Sequence, residues 1–292
     1  MTEEKEGRRT SFFKKMVYTL LSIGLASLSG YSYARYIEPV RLSITEIPFY
    51  SNKLPSAFNG IKIAQFNDTH IGFNYSLTQF KKHLKIIQSY SPDLIIFTGD
   101  LLHQPNQYQD KSEVISLLAS LEAPLGKFAV YGNHDHGGFG TTIYSAIMEE
   151  SGFTILRNES AVISLEEEHI YLSGIDEPML GNPSLTKIEQ TVKADAFHIF
   201  LTHAPDLAAQ IQDYDLLLSG HSHGGQIRLP LIGPLVVPPY AENFNSGQYE
   251  KDDGDQSAII YVNRGLGTTR VPLRFMSVPE ITMFTLYTKK AD

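Results

Sequence analysis

Residues 215–225 read DLLLSGHSHGG: an apolar run, a glycine, then two histidines one residue apart, closed by a glycine pair. A continuous apolar run of this length suits a strand buried on both faces of a sheet. The glycine lets the chain turn sharply where the strand ends. Two imidazoles at such a turn are either a polar cap there by chance or ligands for a metal ion. The stretch alone leaves both readings open, and the rest of the chain decides between them.

The same unit recurs. The runs IKIAQF (61–66), DLIIFTG (93–99), KFAVYG (127–132), HIYLSGI (169–175) and FHIFLTH (197–203) have the same character, as do SAIIYVN (257–263) and EITMFTLYT (280–288). Between the early runs lie helix-like segments. In SLTQFKKHLKIIQSY (76–90), Leu77, Phe80, Leu84 and Ile87 recur at helical spacing, and Ser76 is placed to cap. Further helices are expected over about 111–121, 141–150, 184–194 and 206–213. Strands alternating with helices predict a layered α/β architecture. Residues 230–254, rich in Pro, Gly, Asn and Asp, read as one long surface loop of the functional kind.

The polar residues follow the strands. IKIAQFN leads into Asp68, Thr69 and His70; DLIIFTG into Asp100; KFAVYG into Asn133, His134, Asp135 and His136; FHIFLTH ends in His203; DLLLSG leads into His221 and His223. Loops at strand ends of an α/β sheet converge while the sheet holds them rigid, which is where ligand sites form. One such cluster is weak evidence, but five at five strand ends point to a shared site. Oxygen and imidazole donors without thiolate suit Mn²⁺, Fe or Zn²⁺. The set exceeds what one ion needs. Two ions sharing one carboxylate would use it all, with Asp100 the natural bridge, and a two-metal clamp serves in-line displacement at phosphorus.

Composition narrows the alternatives. The 292 residues suffice for a substantial core, and 42% hydrophobic with 19% charged residues is ordinary for a folded chain. Cysteine is absent, which removes disulfides, thiolate metal sites and cysteine nucleophiles. Of the 24 basic and 32 acidic residues, the first 35 positions hold six and three, leaving 18 against 29 in the rest. A body this acidic repels a phosphate backbone, so no nucleic-acid partner is expected.

Residues 1–35 read as a signal or anchor segment, 36–59 as a connection with a first strand, and 60–292 as the main domain. The stretch 16–34, MVYTLLSIGLASLSGYSYA, carries no charge, follows Lys14 and Lys15, and is long enough for a membrane-spanning hydrophobic helix, although its serines and tyrosines weaken it. The basic flank implies an N-in orientation with the body outside the cytoplasmic membrane. Small residues at Ser27, Ser29, Ser32 and Ala34 also allow cleavage and export as a signal peptide. RRTSFFKK is similar to a twin-arginine signal, with its aromatic pair one residue late.

Taken together, Asp68-x-His70, Gly99-Asp100, Gly132-Asn133-His134, His203 and Gly220-His221-x-His223 resemble the calcineurin-like metallophosphoesterases. The motifs stand in family order, and the likeness covers roughly residues 60–287. GNHDHGG, SGHSHGGQIRLP and NRGLG, with the N-terminal segment, look closest to the bacterial exported branch, which includes phosphodiesterases and UDP-2,3-diacylglucosamine pyrophosphatase-like enzymes. The resemblance implies a four-layer α/β/β/α sandwich. It implies that Asp68, His70, Asp100 and His223 hold one ion, and that Asp100, Asn133, His203 and His221 hold the other. A water or hydroxide bridging the two divalent ions would attack a phosphodiester or pyrophosphate bond. His134 would steady a phosphate oxygen or protonate the leaving group. The family commonly places an acidic or amide residue three positions after the bridging Asp, whereas this chain has His103, which leaves the partner of His134 open.

A phosphate-ester or lipid-linked small molecule is the expected substrate, and VPLRFMSVPE (271–280) with the 230–240 loop can form an apolar wall for an acyl chain or belong to the core. The alternatives are a phosphomonoesterase, a protein phosphatase, and a non-catalytic metal-binding protein. The intact ligand set counts against the last. His136 reads as a loop residue near the site; Arg228 and Arg264 as phosphate contacts or structural ion pairs; His83, His169 and His198 as structural; Asn67 and Thr69 as supports for the first ligand loop.

Overall fold

The computed structural model describes residues 2–193, 195–252 and 257–289. Strands β1 (Ser43–Ser51), β2 (Lys62–Phe66), β3 (Leu94–Phe97), β4 (Lys127–Ala129) and β5 (Phe153–Ile155) precede β6 (Glu159–Leu165), β7 (Glu168–Gly174), β8 (His198–Leu201) and β9 (Leu216–Ser219). A short hairpin, β10 (Arg228–Leu229) and β11 (Gly233–Pro234), leads to β12 (Gly247–Asp252), β13 (Ser257–Val262) and β14 (Glu280–Thr288). One six-stranded sheet runs β1-β14-β2-β3-β4-β5, and the other β12-β13-β9-β8-β7-β6. Within them β2, β3, β4 and β5 are parallel neighbours, as are β13, β9, β8 and β7.

Alternation along the central strands divides the core into three. Ile63, Leu94, Ile96, Ile199, Leu201, Leu216 and Leu218 point into one apolar layer between the two sheets. Their neighbours Ala64, Phe66, Ile95 and Phe97 face the opposite side of the first sheet, under helices α2 (Leu77–Ser89), α3 (Lys111–Ala119) and α5 (Thr141–Glu150). Phe200 and Leu217 face away on the second sheet, beneath α6 (Thr186–Thr191) and the 3₁₀ turn Pro205–Ala209. Continuous apolar runs are therefore needed, because each strand has a core on either face. Helix, sheet, sheet and helix form the expected four-layer α/β/β/α sandwich.

Most expected elements are present, and the caps explain their starts. Gln79 N–H donates to Ser76 Oγ and Ser76 N–H to Gln79 Oε1, each at 3.2 Å, closing the first turn of α2 from both sides. Over 206–213 the expected helix reduces to the turn Pro205–Ala209. The Asp206 carboxylate there accepts from the backbone N–H groups of Glu242, Asn243 and Phe244 instead of capping a longer helix. The expected loop over 230–254 is not one loop: up to residue 252, the last described in that stretch, it includes β11 and the edge strand β12, whose Glu250 and Lys251 suit a partly exposed edge.

Helix α1 (Thr2–Ser32) continues through a wider turn at Tyr33–Ile37 and a 3₁₀ turn at Glu38–Val40. No helix among the described residues is long and apolar enough to cross a membrane. The expectation of a membrane-spanning hydrophobic helix over 16–34 is corrected accordingly. The helix forms, but Tyr18, Thr19, Ser22, Ser27 and Ser29, together with Lys14 and Lys15 just before it, dilute its apolar content.

Candidate metal centre

Every strand end singled out in the sequence opens onto the same place. Asp68 and His70 follow β2, Asp100 follows β3, Asn133 and His134 begin the short helix α4 (Asn133–His136) after β4, His203 follows β8, and His221 and His223 follow β9. Asp68, His70 and His203 have no exposed surface, and Asp100, His221 and His223 are nearly as deeply buried. Five of these residues hold a left-handed backbone: Asp68, His70, Asp100, His221 and His223, with φ between 43° and 69°. For residues with a Cβ that conformation costs about 1 kcal/mol or more each, and such strain persists where the surrounding structure over-determines it.

The donor atoms form two groups that share one oxygen. His70 Nε2 lies 3.0 Å from His223 Nε2, and Asp68 Oδ1 is 3.5 Å from His223 Nε2 and 3.9 Å from His70 Nε2. On the other side His203 Nε2 is 3.0 Å from His221 Nδ1. Asp100 Oδ2 stands between the groups, 3.4 Å from His70 Nε2 and 3.5 Å from His203 Nε2. Ligand atoms about 2.1 Å from a common ion lie roughly 3.0–3.6 Å from one another, so the 3.0–3.5 Å spacings fit ions in both groups and the 3.9 Å Asp68–His70 pair is the wider one. Asp68 Oδ1 and Asn133 Oδ1 are buried without any hydrogen-bond partner. Orphaned acceptors at this depth are costly unless a cation completes them. The residues thus fit a pair of divalent ions.

Backbone carbonyls set the tautomers. His203 Nδ1–H donates to Thr98 O at 2.7 Å, leaving Nε2 free for an ion. His221 Nε2–H donates to Pro239 O at 2.9 Å, leaving Nδ1 free. Carboxylates are held with equal definition. Asp68 Oδ2 accepts from the His221 N–H at 2.9 Å and from Asn67 Nδ2, which turns Oδ1 inward. Asp100 Oδ1 accepts from the His134 N–H at 2.8 Å, which turns Oδ2 toward the imidazoles. Thr69 Oγ1 donates to Leu101 O at 2.7 Å, so Asn67 and Thr69 support their loop as expected.

Glycines allow this crowding. A Cβ on Gly132 would collide with Asp100 Oδ1, and one on Gly220 with Asn67 Nδ2 and, at 2.7 Å, with Asp68 Oδ2.

The charges are interdependent. Burial would raise the Asp100 carboxyl, but the surrounding His203, His134 and His70 hold it well below the usual range. Burial would lower His203, yet the Asp100 charge and hydrogen bond raise it to about 10. Burial pushes Asp68 up to about 7, with Asp100 adding to the rise against the pull of His203. Burial lowers His221 to about 3, and burial with the charges of His70 and Arg274 keeps His223 well below 6.5.

His134 stands beside this group. Its Nδ1–H donates to the backbone carbonyl of His103 at 2.9 Å, so the main chain supplies the partner that the sequence leaves open. The His103 ring stacks with both His134 and Phe73. His136 pairs with Asp176 at 2.7 Å and with Thr141 at 2.8 Å, tying α4 to the loop after β7. Arg264 forms an ion pair with Glu280 at 3.2 Å, and Arg228 bonds Gly224 O and Asn245 Oδ1, which makes both structural. His83 meets the Tyr75 hydroxyl, and His198 meets Asp213 O and Ser173, as expected of structural histidines.

Two residues in the site carried no role in the sequence. The Asp135 carboxylate accepts from the backbone N–H groups of Asp100 (2.7 Å), Gly132 (2.8 Å) and Leu101 (3.0 Å), clamping the strand ends that present Asp100 and Asn133. Its signal was its place in the Asn133–His136 cluster. Arg274 is fully buried, donates to the carbonyls of Arg264, Gly265, Gly267 and Ser277, and brings Nη2 within 3.3 Å of His223 Nδ1. Nothing in the sequence pattern marked it.

A cavity of about 310 Å³ opens over Asp100, Asn133, His134, His221 and His223. Its other wall is apolar, formed by Met179, Ile227, Leu235, Val236, Pro238 and Val271, with Arg270 beside them. Of the two segments expected as wall or core, Leu235, Val236, Pro238 and Val271 line the cavity, whereas Arg274, Ser277 and Glu280 are buried in the interior.

Comparison with known proteins agrees with this geometry. The sequence profile described as calcineurin-like phosphoesterase matches residues 61–225. An uncharacterized metallophosphoesterase of Bacillus subtilis strain 168, YkuE, is 44% identical, with 97% of this chain and 98% of that protein aligned. The UDP-2,3-diacylglucosamine pyrophosphatase LpxG of Chlamydia trachomatis is 28% identical over 91% of this chain and 95% of its own length. The phosphodiesterase YaeI of Escherichia coli K12 is 29% identical over 90% and 94%.

Proposed function

The chain belongs to the calcineurin-like phosphoesterase family and is a phosphoric ester hydrolase, and from that premise we propose that it cleaves a phosphodiester or pyrophosphate bond at a two-ion centre. Asp68, His70, Asp100 and His223 would hold one ion, and Asp100, Asn133, His203 and His221 the other; Mn²⁺, Zn²⁺ or iron suits the donors. The observation that carries this reading is the single oxygen Asp100 Oδ2, placed 3.4 Å and 3.5 Å from an imidazole of each group. A bound pair of divalent ions supplies a water of lowered pKa and neutralises charge on the phosphate.

The chain's own residues do the rest. His134, fixed through Nδ1 by the His103 carbonyl, keeps Nε2 to hold a proton for a phosphate oxygen or the departing oxygen. The apolar wall excludes water from that side and receives the organic part of the substrate. A lipid-linked phosphate ester suits such a wall, and the pyrophosphatase named among the relatives supports it by analogy. The reaction's place outside the cytoplasmic membrane also belongs to this proposal. It rests on the basic, then uncharged, N-terminal sequence.

The test uses protein stripped of metal and supplied again with Mn²⁺, Zn²⁺ or Mg²⁺, assayed on an aryl phosphodiester and the matching monoester. Metal-restored diester cleavage that disappears in Asp100→Asn supports the proposal. Two tightly bound ions with no cleavage of either ester would return the chain to the non-catalytic reading.

A further inference from the structure

The wall of the cavity does not stop at its mouth. From β10 and β11 the hairpin projects Leu231 and Ile232, which are 107% and 71% exposed. Just beyond the hairpin, Leu235 and Val236 line the cavity and are themselves more than half exposed. Val271 and Met276 follow on the neighbouring segment, joined to the hairpin by the Arg228 N–H to Phe275 O and Phe275 N–H to Gln226 O bonds. That segment is bonded in turn to the end of α1: Arg274 N–H donates to Ala34 O, and the Phe275 ring meets Tyr33 edge-on at 6.1 Å. There Tyr36, Ile37 and Val40 are again exposed. One apolar rim thus borders the mouth of the site, and a contiguous apolar surface of this kind marks a contact.

Two further observations select the occupant. Leu231 holds a left-handed backbone, φ 67°, where a bulky side chain is unfavourable and glycine or asparagine would turn the chain at less cost. Nothing in the folded chain rewards this residue, since its side chain touches only solvent. The rim is also basic within an acidic body. Arg35 meets an amide oxygen of Asn74 and lies over the Tyr36 ring, Arg41 meets a phenol of Tyr33, and Arg270 is exposed beside Val271, so none of the three is matched by a carboxylate among the described residues. Glu38, among them in sequence, is buried, its carboxylate accepting from the Ser277 N–H. A second copy would set these arginines against their own kind, whereas an anionic bilayer attracts them while accepting the apolar tips.

We propose that the hairpin tip Leu231–Ile232 and the surrounding rim seat the catalytic body on an anionic lipid surface, with the cavity opening toward the headgroups. This contact belongs to the folded body and is peripheral.

The test is co-sedimentation of the full chain with vesicles of phosphatidylglycerol and phosphatidylcholine in equal parts, and of phosphatidylcholine alone. Wild-type protein should prefer the anionic vesicles, and salt should weaken that preference. Leu231→Glu with Ile232→Glu should lower partitioning by about tenfold or more while leaving hydrolysis of a soluble aryl diester unchanged. Arg41→Glu should weaken binding to the anionic vesicles only. Wild-type binding by the tip variant would overturn the proposal, as would wild-type protein remaining in the supernatant with both vesicles. A dimer in light scattering that the tip substitutions dissociate, without vesicle binding, would overturn it in favour of a second copy. If no diester is cleaved at all, the hydrolytic reading fails. Circular dichroism then confirms the fold of the variants, and sedimentation still decides the docking.

Discussion

The ring of His134 hangs from the main chain of His103: Nδ1–H points at that residue's carbonyl oxygen, 2.9 Å away. The tautomer of His134 is thereby set by an atom that no substitution of the His103 side chain removes. His103→Ala should therefore keep turnover within about fivefold of wild type, the loss coming from the stacked ring rather than from a lost acceptor. Steady-state hydrolysis of an aryl diester measures this. A thousandfold loss would show that the His103 ring itself takes part in the proton transfer.

His134→Gln removes the proton donor and none of the proposed ligand atoms. Turnover should fall by about 10²–10⁴ while both ions stay bound. Metal content after dialysis, measured beside kcat, separates the two roles. An emptied site would mean that His134 is a ligand.

Asp100→Asn replaces the one oxygen common to both groups with a neutral amide. Ion content and activity should fall together, each by about a hundredfold or more at limiting metal, since an ion loses charge as well as a ligand. Full occupancy with lost activity would show that Asp100 does not bridge.

Ion binding should depend on pH in a defined way. His203, raised to about 10 by Asp100 against the effect of burial, keeps a proton across the neutral range that an incoming ion must displace. Asp68, pushed up to about 7 by burial, adds a second such proton only below that pH. Apparent Mn²⁺ affinity should thus rise about tenfold per pH unit above 7 and more steeply below it. Titration calorimetry in buffers of different ionisation enthalpy counts the released protons. An affinity flat between pH 6 and 8 would exclude this coupling.

Arg274 supplies the donors for four backbone carbonyls in the wall behind His223. Arg274→Met strands those carbonyls in the interior and should cost about 3–5 kcal/mol of stability, read by urea denaturation. Arg274→Lys should rescue little, because an ammonium cannot reach the positions of the planar fork.

What the sequence made legible was whatever the chain repeats or aligns with a strand. Asp68, His70, Asp100, Asn133, His203, His221 and His223 stood at the ends of apolar runs, and the two-faced burial that produces those runs also produces the sandwich. The short β5 and the amphipathic β6 carried no such run, and β12 was hidden in a polar segment because an edge strand needs no apolar face. Asp135, Arg274 and the His103 carbonyl were out of reach for a different reason. Their partners lie 31 to 51 residues away or on the main chain, and residue type does not record where a carbonyl points.

Gly132 and Gly220 have no chemistry of their own, yet a single methyl group on either would push against Asp100 or against Asn67 and Asp68. In a saturation library scored by activity they should rank with the metal-binding positions, tolerating almost nothing. A search that ranks positions by side-chain reactivity would pass over both. Here the most constrained feature of the reaction centre is unfilled room, and an engineer wishing to retune the enzyme has least freedom where there is no side chain to change.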